Sequence, residues 1–219
     1  MKRIKIDSTL KETLPAFCLA ALSFDMDVAE SEMLLKQDML QLGQDIEATV
    51  TLEQLLKLPK IAAARDAYRT LGKDPSRYRV ATESLMRRLI KGNGLYEVNN
   101  AVDVGNILSV KTNRSVAVLD ADKIEGDVFI RIAKDEPYEG IGRGSINIEK
   151  IPVYCDDKGP FGSPTSDTLR TAITLETKRV LLFIISFTGD ADLAIDIEMA
   201  IQLFTAYCNA QQFEVAMIK

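Results

Sequence analysis

The sequence of 219 residues contains no histidine, which removes imidazole as general base, triad member or metal ligand. Its three cysteines, Cys18, Cys155 and Cys208, form no CxxC pair. With no histidine to complete a zinc set they read as reduced thiols of a cytoplasmic protein, and neither metal nor cofactor is expected. Positive charge is also in short supply, with 27 Lys and Arg against 32 Asp and Glu and a formal charge of −5. Affinity for a phosphate backbone depends on a local excess of Lys and Arg, so any nucleic-acid contact is confined to a patch. No apolar run reaches the ~18 residues of a membrane span. The stretch 14–24 follows a basic start, but Asp7 and Glu12 intervene and no A-x-A cleavage site follows. It reads as a buried strand rather than a secretory signal, and neither a membrane nor DNA is expected as a partner.

What is present suits a folded unit with one sizeable core: 47% hydrophobic and 27% charged residues. A single domain over 1–219 is expected. Residues 3–6 and 16–24 have strand character and are expected in one sheet. Residues 29–47 repeat apolar positions at helical spacing. Thr51 with Glu53 and Gln54 has the pattern of a helix start, and Pro59 opens a further helix that stops at Gly72. Asp74-Pro75-Ser76 is a turn, a helix then runs to Lys91 before Gly92-Asn93-Gly94, and another covers 100–110. Beyond it the period changes, with β-rich runs at 116–119, 128–133, 146–154 and 180–187. Helical spacing returns over 190–210, and 213–218 closes as a strand. Because the helical and strand periods are segregated rather than strictly alternating, the expected class is α+β, a central β-sandwich with flanking helices.

One segment is more specific than its periodicity. Residues 93–126, NGLYEVNNAVDVGNILSVKTNRSVAVLDADKIEG, carry Asn99, Asn100, Val102, Asp103, Val104, Asn106, Asp120, Asp122, Lys123 and Gly126 in a pattern that resembles the B3/B4 editing domain of bacterial phenylalanyl-tRNA synthetase β subunits. Residues 65–92 look like the lead-in of stand-alone members, and Asp156-Asp157 and Ser166-Asp167-x-x-Arg170-Thr171 are also similar. The likeness spans roughly 65–187, leaving 1–64 as a less recognisable N-terminal βα portion.

The resemblance implies an α+β unit with a β-sandwich of unusual topology that hydrolyses tyrosine misattached to the phenylalanine tRNA. It further implies a pocket in which Asn106 keeps a lining asparagine, Gly105 replaces a threonine, Ala117 a histidine, and Phe183 the glutamate that receives the tyrosine hydroxyl. A site built to bond a substrate hydroxyl rejects the analogue lacking it by roughly 10⁴ to 10⁵, a discrimination Phe183 does not supply. The expected cleft lies between 99–106 and the loop 162–171, with Asn106, Ala117 and Phe183 on its wall as the resemblance implies, and Asp167 and Arg170 at its mouth on the polar composition of that loop.

The remaining polar groups have bland and functional readings side by side. Asn99, Asn100 and Asp103 suit helix capping and loop bracing. Gly140, Gly142, Arg143 and Gly144 suit a hairpin loop better than an anion cradle, because the GxGxxG register and following helix are missing. In the stretch 159–171, Ser163, Thr165 and Ser166 crowd around Asp167 and Arg170, which fits either a ligand's polar groups or a plain loop whose Asp167 and Arg170 form an ion pair. Arg87, Arg88 and Lys91 form a basic cluster, either a tRNA contact or a solvated helix end. The hydroxyls have no histidine base. Hydrolysis of an ester would therefore rest on positioned water, backbone N–H donors and the ribose hydroxyl of the tRNA. The leading expectation is a protein that binds an aminoacyl group or an aminoacyl-tRNA end, with trans-editing hydrolysis as its extension. A non-catalytic binder of an amino-acid-like small molecule and an RNA-binding module are the alternatives.

Overall fold

Alternation of side chains along the strands divides the apolar residues into two large cores, one on either face of a four-stranded sheet. The computed structural model describes residues 1–219. In chain order the elements are β1 (Ile4–Ile6), α1 (Ser8–Thr13), β2 (Cys18–Asp25), α2 (Met33–Thr49), α3 (Leu52–Lys57), α4 (Pro59–Thr70), α5 (Ala81–Ile90) and α6 (Asn100–Thr112). There follow β3 (Val116–Asp120), β4 (Val128–Ile132), β5 (Glu139–Gly140), β6 (Gly144–Ser145), β7 (Pro152–Asp156), β8 (Gly159–Gly162), β9 (Arg179–Ser186), α7 (Leu193–Cys208) and β10 (Gln211–Ile218).

One sheet has the order β10-β2-β9-β3 and is antiparallel throughout; the other has the order β1-β4-β7-β8, with β1 parallel to β4. Leu19, Ala21, Ala117, Leu119, Leu181, Phe183 and Ile185 of the first sheet meet Val128, Ile130, Tyr154 and Phe161 of the second in one core. This is a β-sandwich. On the outer face of the first sheet Ala20, Leu22, Leu182 and Ile184 pack beneath α2, α6 and α7, through Leu35, Met39, Val104, Ile107, Leu108, Ala200 and Phe204. The fold is α+β, as the segregated periods predict.

The helix boundaries follow from local chemistry. Thr51 and Gln54 form a reciprocal capping box at α3, with hydrogen bonds of 2.7 and 3.2 Å. Pro59 stands at the first position of α4. Asn99 caps α6 by accepting from Val102 N. Asn100 and Asp103 then reach across the fold. The Asn100 side chain accepts from Ala29 N and donates to Asp27 O and Tyr207 O, while the buried Asp103 accepts from Ser31 Oγ and Val98 N. Asn100 and Asp103 thereby brace the segment between β2 and α2 against α6. Burial, opposed by the Ser31 and Val98 donors, leaves the Asp103 carboxyl above its ordinary range. Arg114 does comparable work beneath α7. It is buried and donates to Asp196 (2.7 Å) and Ser186 Oγ (2.6 Å), and Lys60 of α4 adds a second cation to Asp196.

Two expectations need correction. Strands 3–6 and 16–24 do not share a sheet: β1 pairs with β4 and β2 lies between β9 and β10. The short α1, capped by Asp7 and anchored by the buried Leu10, separates them. Six residues with one buried position carry no helical period to read. The strand expected at 146–154 is confined to Pro152–Asp156, because Lys150 takes a left-handed conformation (φ 66°) that breaks the extended run.

Close packing of α6 on β3 rests on Gly105. A Cβ there would lie 2.4 Å from Val118 Cγ2, a stiff β-branched side chain that has little room to yield. Gly105→Ala in an exposed helix would gain up to about 1 kcal/mol from propensity; here overpacking reverses the sign, with an expected loss of about 1–3 kcal/mol in urea unfolding. Val118→Ala in the same chain should recover about 1 kcal/mol or more of that loss as a coupling energy. Strict additivity of the two substitutions would contradict the contact.

Candidate functional site

The loop 162–168 is held on all sides by hydrogen bonds that its composition makes possible. Ser163 Oγ accepts from the amides of Thr165 and Ser166 and donates to Ser166 O, closing the turn on itself. Thr165 Oγ1 lies 2.8 Å from the hydroxyl of Tyr68 on α4, and Tyr138 OH donates to Ser166 O. Pro164 O accepts from Ala81 N at the start of α5 (2.7 Å) and from Ser115 Oγ (3.0 Å). Thr168 returns two bonds to Phe161 O, and Ile141 N, in the β5–β6 hairpin, donates to Asp167 O. Helices, hairpin and sandwich thus fix one loop in one conformation.

Inside this frame two polar atoms are buried without a partner, Asp167 Oδ1 and Tyr154 OH. Both residues pack against Gly162: a Cβ there would come within 2.7 Å of Asp167 Oδ1 and of a ring carbon of Tyr154. Only glycine leaves room for the pair. Burial pushes the Asp167 carboxyl up to about 7, against the pull of the nearby Ser163 amide. Tyr154 is wholly buried, and its phenol is raised first by burial and then by the charge of Asp167. As a residue Asp167 is half-buried, so its outer edge reaches solvent while Oδ1 faces inward. An unpartnered carboxylate oxygen thus lies near an unpartnered phenol whose titration its charge affects, with the Tyr154 and Phe161 rings 6.3 Å apart; groups of this kind suit a ligand group rich in N–H donors. Ammonium is the smallest such group, favoured by charge and by ring faces.

The residues implied by sequence are only partly brought together. Ala117 and Phe183 are cross-strand partners facing the sandwich interior, where the Tyr154 ring meets Phe183 edge to face at 5.1 Å. Tyr154 thereby links Phe183 to Asp167, and Ser163 and Thr165 shape the adjoining loop. Gly105 lies on the opposite face of the sheet, against Val118. Asn106 is half-buried on the same helix. The expected wall of Asn106, Ala117 and Phe183 therefore does not form, because consecutive residues of a strand point to opposite faces. Arg170 also stands elsewhere. It forms a two-pronged ion pair with the buried Asp156 (2.8 and 2.9 Å) rather than with Asp167. Burial alone would raise the Asp156 carboxyl, but Arg170 and the Glu125 and Lys158 amides outweigh it and leave it lowered.

The basic cluster at the end of α5 is divided as well. Arg88 donates to Gly94 O and Asn93 O and stacks over Tyr96, which ties the loop after α5 back onto the helix. Arg87 bonds Glu83, while Lys91 is exposed. Sequence reasoning missed Tyr68, Tyr138 and Tyr154. The available clue was a tyrosine within an apolar strand or helix face, whose hydroxyl must find a partner or a use.

The model of the B3/4 domain family matches residues 63–209, a span that contains every residue of this loop and its supports. Among curated proteins, the phenylalanine–tRNA ligase beta subunit of Fusobacterium nucleatum is 28% identical over 134 residues, covering 59% of this chain and 17% of that protein. The corresponding subunit of Neisseria meningitidis serogroup A is 29% identical over 83 residues, covering 37% and 10% respectively. The chain thus spans a small part of the length of these relatives. Among solved structures, an N-terminal fragment of the phenylalanyl-tRNA synthetase beta subunit from Pyrococcus horikoshii aligns over 96% of this chain and 50% of its own, with 12% identity and a TM-score of 0.49.

The elevated Asp167 carboxyl has a measurable consequence. Its folded-state value of about 7 lies above the ordinary 3.8, so its contribution to stability is complete below pH ~4 and is lost as pH rises through ~7. Asp167→Asn does not titrate. Between pH 4 and pH 8 the unfolding free energy of the variant should therefore gain on the wild type by about 1–3 kcal/mol, a range that allows for the half-exposed outer edge. A difference independent of pH would show that Asp167 is ionised in the fold at ordinary values.

Proposed function

The chain belongs to the B3/4 domain family, and from that premise we propose that it binds the aminoacyl end of a charged tRNA, with Asp167 and Tyr154 receiving the α-amino group of the esterified amino acid. The observation that supports this reading is the pair of unpartnered polar atoms, Asp167 Oδ1 and Tyr154 OH, on two residues that both pack against Gly162. The related curated proteins are beta subunits of phenylalanine–tRNA ligases, which supports a tRNA partner for the family relationship. An aminoacyl ester carries a free ammonium and is already activated toward water. A receptor that orients it beside a carboxyl near neutrality asks little else of the protein for slow hydrolysis. Such deacylation in trans is the extension of this reading.

A second reading has its own support. The space against Phe183 is filled by Tyr154, and the protein is acidic overall, both of which favour a small amino-acid-like ligand without its tRNA. The two readings share the ammonium and differ in the RNA.

A single set of probes separates them. Binding of an aminoacyl-tRNA is compared with its N-acetylated form, with deacylated tRNA and with the free amino acid. N-acetylation removes the charge and should weaken binding about 10- to 100-fold, the scale of a hydrogen bond to a charged group. Asp167→Asn should erase that difference, and Tyr154→Phe should reduce it. Equal affinity of acetylated and free aminoacyl-tRNA for the wild type contradicts the assignment. Tight binding of the free amino acid with none of tRNA selects the second reading.

A further inference from the structure

Three arginines converge on one buried carboxylate at the start of α5. Arg65 Nη1 donates to both oxygens of Glu83, at 2.9 and 3.0 Å, and to Pro75 O. Arg87 Nε donates to Oε1 at 2.8 Å. Arg79 Nε lies 3.9 Å from the same oxygen, beyond hydrogen-bond reach, and is buried without any partner. The Glu83 side chain is 0% exposed, whereas that of Arg79 is 40% exposed. One carboxylate therefore orients three guanidinium groups and neutralises only one of them. Asp74 and Arg77 nearby add one charge of each sign and leave the excess unchanged, and Arg69 is matched by Asp66.

A structural ion pair needs one guanidinium, or two at most. The third places a charged donor where water does not reach it and no protein acceptor meets it, at the edge of a solvent-facing group. An incoming anion with several oxygens removes that deficit, and the planar fork of Arg matches phosphate oxygens in two-pronged fashion. The patch is local and positive in a protein that is acidic overall, the condition that confined phosphate binding requires.

Its position agrees with the aminoacyl site. Ala81, two residues after Arg79, donates its amide to Pro164 O. Tyr68, one helical turn after Arg65, shares a hydrogen bond with Thr165. The arginine cluster and the loop of Asp167 are thus coupled through the same two helices. We infer that Arg65, Arg79 and Arg87, gathered by Glu83, form the binding site for a phosphodiester of the RNA strand whose aminoacylated end reaches Asp167. This rests on the tRNA reading above, and it moves the RNA contact from Arg88 and Lys91 to Arg65 and Arg79.

Arg79 is the residue to change, because its long separation from Glu83 means that the fold depends on it least. Binding of deacylated tRNA is followed by fluorescence anisotropy between 50 and 200 mM salt, with melting temperatures as the control for folding. Arg79→Ala should weaken binding several-fold and Arg79→Glu more than about 10-fold. Arg79→Lys, which keeps the charge but not the fork, should retain part of the affinity and fall between wild type and Arg79→Ala. The slope of log K against log salt should become less negative by about 0.7–0.9 in Arg79→Ala, the loss of one phosphate contact. Lys91→Ala, exposed at the end of α5, should leave deacylated tRNA binding unchanged, and the preference for aminoacylated over N-acetylated tRNA, read separately, reports the Asp167 site, so failure at one site is separable from failure at the other. The inference is overturned if Arg79→Ala and Arg79→Glu bind tRNA like the wild type, or if a DNA duplex of the same length binds equally well. It is also overturned if the wild type shows no tRNA binding at low salt while the free amino acid binds.

Discussion

Strand β9 is the element on which the architecture depends, because it is buried on both faces and bordered on both edges. Val180, Leu182 and Ile184 look toward the helices, and Leu181, Phe183 and Ile185 toward the second sheet. A shift of one residue would exchange the two cores. Its partners are fixed by the same register: Ala117 opposite Phe183, and Ala21 on the other side. This alternation decides which polar groups can meet. It places Phe183 in the sandwich, in contact with Tyr154, and turns the Gly105 surface of α6 to the other face. Small side chains at 21 and 117 leave the width that the Phe183 and Tyr154 rings occupy.

Buried polar groups elsewhere in the fold are consistently satisfied. Asp156 has Arg170 and two amides, Asp196 has Arg114 and Lys60, and Asp103 has Ser31 and Val98. Against that pattern the unpaired Asp167 Oδ1, Tyr154 OH and Arg79 Nε stand out, one anionic, one neutral and one cationic. Asp167 lies in the loop 162–168, Tyr154 on β7 and Arg79 just before α5, whose first amide bonds that loop at Pro164 O. On the proposed reading, Asp167 would meet the cationic end of a ligand and Arg79 its anionic end.

Local chemistry was legible in the sequence where both partners lie within a few residues. The Thr51 capping box, Pro59 at a helix start, the Gly140 to Gly144 hairpin and the Asn99 cap all follow from spacing. The run 93–126 also identified the family, since its fixed polar positions are ones that packing alone does not demand. Contacts across the fold were not legible. Arg170 has Asp167 three residues away, but its partner is Asp156, fourteen away. The Glu83 cluster was half readable: Arg79 and Arg87 lie four residues on either side, whereas Arg65, eighteen residues distant, arrives only through helix packing. Residue types matched to a pocket by resemblance said nothing of which face of the sheet each would occupy. The strand alternation that settles this becomes meaningful only once the partner sheet is known.

The central claim is that Asp167 is a buried acceptor awaiting a cationic ligand. Carbon-13 NMR of the aspartate carboxyls reads it directly, with Asp167→Asn supplying the assignment. In the free protein the Asp167 signal should titrate near pH 7. In the presence of saturating aminoacyl-tRNA its midpoint should fall by one unit or more, because a bound ammonium favours the ionised form. A midpoint near the ordinary 3.8 in the free protein, or one that does not move when the aminoacyl ligand binds, would contradict it.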